Sequence, residues 1–180
     1  KLVVLLGDGM ADLPLPALQG KTPLQAAFKP NMDDLAKRGK SGLVRTVADG
    51  FSPGSDVANL SVMGYEPARH YTGRAPLEAA AMGVALGPSD IAFRCNFVTL
   101  EEGIMKDYSA GHITSEEGRA LIDSLAPIMP GGRLYAGVSY RNLLVLQAGG
   151  QAICTPPHDI SDQPAAEHLP RGPDADLLIR

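Results

Sequence analysis

Two oxygen-bearing side chains in the first third of the sequence lie next to glycine, in positions where they could do chemistry. Asp8 lies between two glycines directly after an apolar run, residues 2–6, and Ser55 follows Gly54 at the expected start of a helix. A carboxylate at the carboxyl end of a strand can bind a divalent cation or face a phosphate, since ligands of open α/β sheets bind at that edge. The alternatives are a turn aspartate and a serine that caps a helix.

The position of Ser55 suits a nucleophile in phosphoryl transfer. The free N–H groups and the dipole of a helix start stabilise an anion, and they would stabilise a phosphoryl group during its transfer. A cation bound by Asp8 could lower the pKa of the Ser55 hydroxyl and so activate it. We therefore expect the Ser55 hydroxyl to lie close to the Asp8 carboxylate, in one crevice.

Four basic residues in the second half of the sequence could bind an anionic substrate. Arg94 and Arg141 lie in strand-like segments, where an arginine is either solvated at an edge or forms a fork for phosphate or carboxylate. His112 precedes an expected helix and His158 follows two prolines, and each histidine has a structural alternative. The sequence has no His-x-x-x-His or Cys-x-x-Cys pair for a metal site here, and no glycine-rich nucleotide fingerprint.

The elements that must position Asp8 and Ser55 have the pattern of a parallel α/β sheet. The continuous apolar run at residues 2–6 predicts a strand buried on both faces. Thr22 followed by proline predicts the start of a short helix, and residues 31–40 predict a second helix that Asn31 caps. Residues 41–47 predict the next strand, and the order strand, helix, strand favours a parallel sheet.

A change of pattern near Gly87 and Pro88 predicts a second domain. Two short helices are expected before it, over residues 55–64 and 77–82. After it, alternating apolar and polar residues predict strands, and Thr114 with Glu117 forms a capping box for a helix. We expect a first domain over residues 1–87 and an α+β domain over residues 88–180. The expected elements of the second domain are strands at 91–100, 104–108 and 138–147, a helix at 114–125, and a helix beginning in 174–180.

The composition is typical of a globular protein and excludes several classes of partner. The chain has 180 residues, of which 44% are hydrophobic and 20% charged, and its net charge is −4. Without a basic patch we expect no nucleic-acid partner, and without an apolar run of about 20 residues we expect no membrane span. Cys95 and Cys154 suit unpaired thiols in a reducing cytoplasm. The composition leaves the oligomeric state open.

Seven motifs together carry a resemblance to a known family. They are Gly7-Asp8-Gly9-Met10-Ala11-Asp12, Pro30-Asn31-Met32-Asp33, Pro53-Gly54-Ser55-Asp56-Val57-Ala58-Asn59-Leu60, Gly64-Tyr65-Glu66-Pro67, Tyr71-Thr72-Gly73-Arg74-Ala75-Pro76-Leu77-Glu78, Asp90-Ile91-Ala92-Phe93-Arg94-Cys95-Asn96 and Asp107-Tyr108-Ser109-Ala110-Gly111-His112-Ile113. With them the chain resembles the archaeal-type cofactor-independent (2,3-bisphosphoglycerate-independent) phosphoglycerate mutases of the alkaline phosphatase superfamily. The resemblance covers essentially the whole chain.

The resemblance implies a fold, a reaction and roles for the candidate residues. The implied fold is α/β: an alkaline-phosphatase-like parallel sheet, of which residues 1–87 would be the N-terminal part, with a smaller α+β substrate-binding domain, residues 88–180, inserted in it. The implied reaction interconverts 3-phosphoglycerate and 2-phosphoglycerate through a phosphoserine. Two divalent ions (Mn²⁺, Zn²⁺ or Mg²⁺) would be the cofactors, and 2,3-bisphosphoglycerate would not be one.

The resemblance also assigns the candidate residues. Asp8 and Ser55 would bind metal, and Ser55 would be the nucleophile. The substrate-binding candidates are the four basic residues Arg94, Arg141, His112 and His158.

The chain departs from the family pattern in two places. Residues 113–180 contain no Asp-x-x-x-His followed by Asp-His, so we expect the remaining metal ligands to lie outside this chain and the isolated chain to be truncated and inactive. The second departure is at Tyr108, Ser109 and His112, where archaeal mutases are richer in arginine. The alternative function is therefore a homoserine kinase-like or other metal-dependent phosphoryl transfer or phosphatase activity at the same site. The substrate would be a small phosphorylated compound or hydroxy acid.

Overall fold

The computed structural model of the chain describes residues 1–179, so Arg180, the last residue of the helix expected in 174–180, lies outside the described residues. The chain divides into two compact units, Lys1–Tyr71 and Thr72–Arg180. This division falls earlier than the change of sequence pattern at Gly87 and Pro88. The difference arises because a helix just before that point packs with the second unit.

The first unit contains four short helices, and proline begins three of them. They are α1 (Pro23–Ala26), α2 (Pro30–Arg38), α3 (Ser55–Val62) and α4 (Pro67–His70). The expected start of α1 is confirmed, because the Thr22 hydroxyl accepts a hydrogen bond from the Gln25 N–H at 3.1 Å and the Gln25 side chain accepts from the Thr22 N–H at 2.9 Å. The cap expected for α2 is wrong: Lys29 is its N-cap, and Pro30 takes the first helical position. A proline there has a suitable φ and lacks only an N–H that would be unpaired anyway.

The two strands expected in the first unit are wrong. Residues 2–6 and 41–47 form no strand, and each of the five apolar residues 2–6 is more than half exposed. A strand exists only with a hydrogen-bonded neighbour. Among the described residues 1–71 the only sheet-type pairing is the isolated bridge between Leu15 and Lys21. The apolar run is therefore unpaired.

The second unit is built on a three-stranded antiparallel sheet in the order β1-β5-β4, with a separate hairpin, β2-β3. The chain is therefore a mixed α/β protein, as expected at the level of fold class, but the sheets of its described part contain no parallel pair. The elements of this unit are α5 (Arg74–Ala81), β1 (Ile91–Asn96), β2 (Thr99–Glu101), β3 (Ile104–Asp107), α6 (Ser115–Leu125), β4 (Gly132–Val138) and β5 (Arg141–Leu146). Short 3-10 turns follow, at Pro157–Asp159, Ala165–His168 and Ala175–Leu177.

The core of the second unit lies between α5 and one face of the sheet. Ala75 and Ala79 of α5 pack in one cluster with Leu143 and Val145 of β5. Small residues on the helix allow close approach to the central strand, whose residues from Asn142 to Leu146 are all buried. This packing accounts for the place of α5 in the second unit.

Strand β4 is the element that sequence reasoning missed almost entirely. It begins with Gly132 and contains Gly137, and glycine weakens a strand pattern. The pairing of β4 with β5 shifts register between Tyr135 and Val138. A Cβ atom at Gly137 would lie 2.2 Å from the Arg141 carbonyl oxygen, so this irregularity requires glycine.

Candidate functional site

Asp8 and Ser55 are in direct contact within the first unit. The Ser55 hydroxyl donates a hydrogen bond to Asp8 Oδ2 at 3.1 Å, across 47 positions of sequence. Both residues are exposed. Gly9, with a φ of 71°, supplies the left-handed turn that follows the aspartate. The expected proximity of this hydroxyl and this carboxylate is confirmed.

Ser55 is the first residue of α3 and not its cap. The N-cap is Gly54, whose missing side chain gives the helix start no side-chain cap. The Ser55 hydroxyl is therefore directed to Asp8, whereas a capping serine would accept from an N–H of the first turn. The helix start retains the dipole that favours an anion.

A tyrosine that sequence reasoning missed holds the start of α3. The Tyr71 hydroxyl donates a hydrogen bond to the Asp56 carboxylate, one residue after Ser55. The Tyr71 ring also packs edge-on against Phe51, with ring centroids 6.3 Å apart. These contacts fix the loop and the first turn on either side of Ser55. No short-range sequence signal indicates them, because 15 positions separate Tyr71 from Asp56.

In the second unit, Arg94 is held by a carboxylate. Its Nε lies 3.0 Å from Glu78 Oε1 of α5, and both side chains are largely buried. Arg94 Nε and Asn96 Oδ1 are the buried side-chain atoms of the described residues without a hydrogen-bond partner. The ion pair with Glu78 therefore holds the guanidinium in place, while Arg94 Nε retains hydrogen-bonding capacity.

The two candidate arginines share a face of the sheet. Asn96 of β1 is paired directly with Arg141 of β5, and Arg94 lies two residues before Asn96. Residues directly opposite on antiparallel strands, and residues two apart on one strand, point to the same face. The sheet therefore places Arg94 and Arg141 on one side, the side on which Leu143 packs against α5.

Arg141 and His158 are connected through two tyrosines. The guanidinium of Arg141 lies 4.9 Å from the centroid of the Tyr140 ring, a cation–π distance. The Tyr140 ring contacts Tyr108 at 5.9 Å, and Tyr108 contacts the His158 ring at 6.3 Å. His158 also lies 3.5 Å from Asp159. The expected candidates Arg141 and His158 thus belong to one cluster, which we call the aromatic cluster.

His112 lies in the loop that follows β3, beside the aromatic cluster in sequence. It is exposed and lines an open hollow of about 770 Å³ with residues of α6. Its backbone N–H donates to the hydroxyl of Ser109 at 3.2 Å, and its φ is 56°. A non-glycine residue in this left-handed region needs support from its surroundings.

A complete metal centre is not formed by the described residues. Among residues 1–179, no three His, Cys, Asp or Glu side chains come together as a metal-ligand group. The adjacent oxygens of Asp8 and Ser55 are the hard donors that Mg²⁺ or Mn²⁺ prefer, so they fit part of a site.

In the part of the chain that the structure describes, no helix has the length and apolar character to cross a membrane.

The chain is similar to proteins of known class. Residues 36–180 match the family model for 2,3-bisphosphoglycerate-independent phosphoglycerate mutase. Proteins with this name in Methanothrix thermoacetophila and Methanosarcina acetivorans are 65% and 55% identical over 99% of this chain. A probable 2,3-bisphosphoglycerate-independent phosphoglycerate mutase of Geobacter sulfurreducens is 55% identical over 99% of the chain. These alignments cover 46%, 46% and 47% of the relatives.

Two solved structures are similar. A cofactor-independent phosphoglycerate mutase from Thermoplasma acidophilum, 33% identical, matches 95% of this chain and 47% of its own with a TM-score of 0.50. A protein from Pyrococcus horikoshii, 34% identical, matches 79% of this chain and 36% of its own with a TM-score of 0.62. The chain belongs to the 2,3-bisphosphoglycerate-independent phosphoglycerate mutase family. It spans about half the length of the curated relatives it matches.

Proposed function

We propose that the protein of which this chain is a part interconverts 3-phosphoglycerate and 2-phosphoglycerate through a phosphoserine at Ser55. The observation that carries this proposal is the 3.1 Å hydrogen bond from the Ser55 hydroxyl to Asp8 at the start of α3. Family membership supports the choice of substrate.

In the proposed reaction Ser55 Oγ loses its proton and attacks the phosphorus of 3-phosphoglycerate, and the oxygen at carbon 3 leaves and takes up a proton. Asp8 accepts a hydrogen bond from the Ser55 hydroxyl and so orients it for attack. The start of α3 favours the negative charge of the transferred group. The glycerate then reorients, and its hydroxyl at carbon 2 loses its proton and attacks the phosphoserine. The bond between phosphorus and Ser55 Oγ breaks, and Ser55 takes up a proton and is regenerated.

We propose Asp8 and Ser55 as ligands of a divalent metal, with the other ligands supplied by polypeptide outside this chain. The family relationship implies two such ions, of Mn²⁺, Zn²⁺ or Mg²⁺, and no 2,3-bisphosphoglycerate cofactor. A bound divalent ion would lower the pKa of a serine hydroxyl and offset phosphoryl charge. The exposure of both side chains supports this assignment, because a ligand can reach them.

We propose that Arg94, Arg141, His112 and His158 hold the anionic glycerate. The shared face of Arg94 and Arg141 and the aromatic cluster support this assignment.

In the same proposal residues 1–87 are the N-terminal part of an alkaline-phosphatase-like catalytic domain and residues 88–180 are the inserted domain. Residues 2–6 form no strand in this structure, and their exposed apolar side chains support a contact with further polypeptide.

The partner proposed for the whole protein is a small phosphorylated substrate, with no nucleic acid and no membrane. The net charge of −4 is unfavourable for phosphate-backbone binding. The location proposed is the cytoplasm, which suits the free thiols of Cys95 and Cys154.

The deciding experiment uses the full-length protein with divalent metal and without 2,3-bisphosphoglycerate. We expect 3-phosphoglycerate to be converted to 2-phosphoglycerate, and phosphate to be found on Ser55 after quenching. Ser55→Ala should abolish both, whereas Ser52→Ala, at an exposed position of the same loop, should retain both. If the wild-type protein instead phosphorylates homoserine or only releases phosphate, the mutase assignment is wrong and the alternative activity at Ser55 replaces it.

A further inference from the structure

Two polar side chains of the described residues are fully buried, and both lie beside candidate substrate-binding residues. Ser109 is 1% exposed and Asn142 is 2% exposed. Ser109 lies three residues before His112, and Asn142 directly follows Arg141. Burying a polar group is costly unless its hydrogen bonds are made, so each position calls for an explanation.

Ser109 organises the loop between β3 and α6. Its hydroxyl donates to Asp107 Oδ1 at 2.6 Å and accepts from the His112 N–H at 3.2 Å. The same Asp107 carboxylate accepts from the backbone N–H groups of Ser109 and Gly111, both at 2.7 Å. Four hydrogen bonds thus converge on two side chains and fix the backbone up to His112.

The backbone that these bonds fix is unfavourable by itself. Ala110, Gly111 and His112 have φ values of 51°, 69° and 56°, so three successive residues are left-handed. The left-handed conformation costs roughly 1–2 kcal/mol for each residue other than glycine. Without the Asp107 and Ser109 side chains, this loop and the direction of His112 would relax.

Asn142 has the matching role at the turn between β4 and β5. Its Oδ1 accepts from the Gly137 N–H at 3.2 Å, inside the register shift of β4. Its Nδ2 donates to the Tyr140 carbonyl, also at 3.2 Å. The side chain therefore bridges both sides of the turn that carries Tyr140 and Arg141.

The loop and the turn are joined to each other. Ser139 in the turn donates from its hydroxyl to the Ile113 carbonyl and from its N–H to Ser115 Oγ at 3.0 Å. The rings of Tyr108 and Tyr140 make a third contact between them. Two hydrogen bonds and one ring contact therefore hold the loop and the turn together.

We propose that Ser109 and Asn142 are positioning residues, which hold His112 and Arg141 in the arrangement that binds the anionic substrate. This inference rests on the proposed function and goes further. It states that two buried side chains, which no substrate can reach, raise the affinity for substrate. Small errors in the placement of charged groups weaken binding strongly. The pKa of the Asp107 carboxyl lies below its ordinary value, and the hydrogen bond from the Ser109 hydroxyl is the largest cause. This direction agrees with a carboxylate that is held in place.

The test measures KM and kcat separately for Ser109→Ala and Asn142→Leu in the full-length protein. Each change should raise KM for 3-phosphoglycerate about tenfold and alter kcat less than about threefold. Ser124→Ala, which removes a hydroxyl bonded within α6, is the matched control and should leave both unchanged. An unchanged KM with lowered thermal stability would show that the two residues serve the fold alone, and would overturn the proposal.

A second measurement covers the case in which the variants do not fold or the wild type is not a mutase. Hydrogen exchange on the wild-type full-length protein should show protected amides at Gly111 and His112, although both residues are exposed. Fast exchange there would overturn the inference whatever the activity. If these amides are protected in a wild-type protein that has no mutase activity, the proposed function is wrong and the inference about the loop is not.

Discussion

The Ser55 hydroxyl and the Asp8 carboxylate meet at 3.1 Å although 47 positions of sequence separate them. Neither residue is buried, and no core packing requires their contact. An exposed hydroxyl–carboxylate hydrogen bond adds little to stability because water competes for both groups. The pair is therefore the first target for mutation.

Ser55→Ala should reduce mutase turnover by about three orders of magnitude or more, as expected when a nucleophile is lost. The thermal midpoint should change little, since Gly54 is the N-cap and the substitution removes no cap. Steady-state kinetics and thermal unfolding of the full-length variant check both parts. Turnover near the wild-type rate would exclude a phosphoserine at this position.

Asp8→Asn should also abolish turnover while leaving the fold intact. The amide oxygen can still accept from Ser55, but the charge that a divalent cation requires is gone. Activity should be assayed over a metal titration, with Asp12→Asn as the control because that exposed carboxylate bonds only to the neighbouring Leu13 N–H in the described structure. Full activity of Asp8→Asn at saturating metal would make Asp8 a simple turn residue.

Arg141→Lys should raise KM for the phosphorylated substrate about tenfold. Lysine keeps the charge but loses the planar fork and the stacking on Tyr140. Arg119→Lys, at an exposed position on α6, provides the comparison and should have no effect on KM. Equal KM values for the two variants would show that Arg141 does not bind the substrate.

Acid should destabilise the second unit partly through Asp107. Hydrogen bonds from the Ser109 hydroxyl, the Ser109 N–H and the Gly111 N–H hold the pKa of the Asp107 carboxyl below its ordinary value. A carboxyl with a lowered folded-state pKa stabilises the fold above its unfolded pKa of about 3.9, and this contribution is lost as pH falls further.

The check is the thermal midpoint of the full-length protein between pH about 6 and about 3. Asp107→Asn should unfold at a lower temperature at neutral pH and lose less stability on acidification than the wild type. Asp123→Asn, on the exposed side of α6, controls for the change in net charge. The same pH dependence in wild type and Asp107→Asn would contradict the assignment.

Gly118→Ala should destabilise the protein although alanine is the better helix former by about 1 kcal/mol. A Cβ atom at position 118 would lie 2.7 Å from the Ser139 carbonyl oxygen, so α6 must move away from the turn. The thermal midpoint measures the effect, and Ser124→Ala on the same helix shows what alanine does without the contact. A stabilised Gly118→Ala would mean that the helix and the turn are not in close contact.

The elements that sequence predicted well are those with local signals. The capping box of Thr114 and Glu117 specifies the start of α6 within four residues, and the structure contains both of its hydrogen bonds. The start of α1 is predicted from Thr22 and the proline that follows it, which is also a local signal. Such signals depend on neighbours along the chain and so can be recognised without the fold.

The elements that sequence predicted wrongly or missed depend on distant partners. Residues 2–6 have the composition of a buried strand, but composition does not supply the neighbouring strands that would make one. In the candidate site, proximity of Asp8 and Ser55 followed from the general location of ligand sites in α/β proteins. The Glu78 partner of Arg94 and the Tyr71 partner of Asp56 come from tertiary packing, and no spacing rule indicates them.

The strand order β1-β5-β4 has a consequence for synthesis on the ribosome. The central strand, β5, is the last of the three to be translated, while β1 precedes it by more than 40 residues. β1 therefore emerges after α5, which packs against it, but before the strand that is its backbone partner. The sheet can close only after Leu146 has left the exit tunnel, so until then the backbone of β1 lacks its strand partner and exposes an unpaired edge.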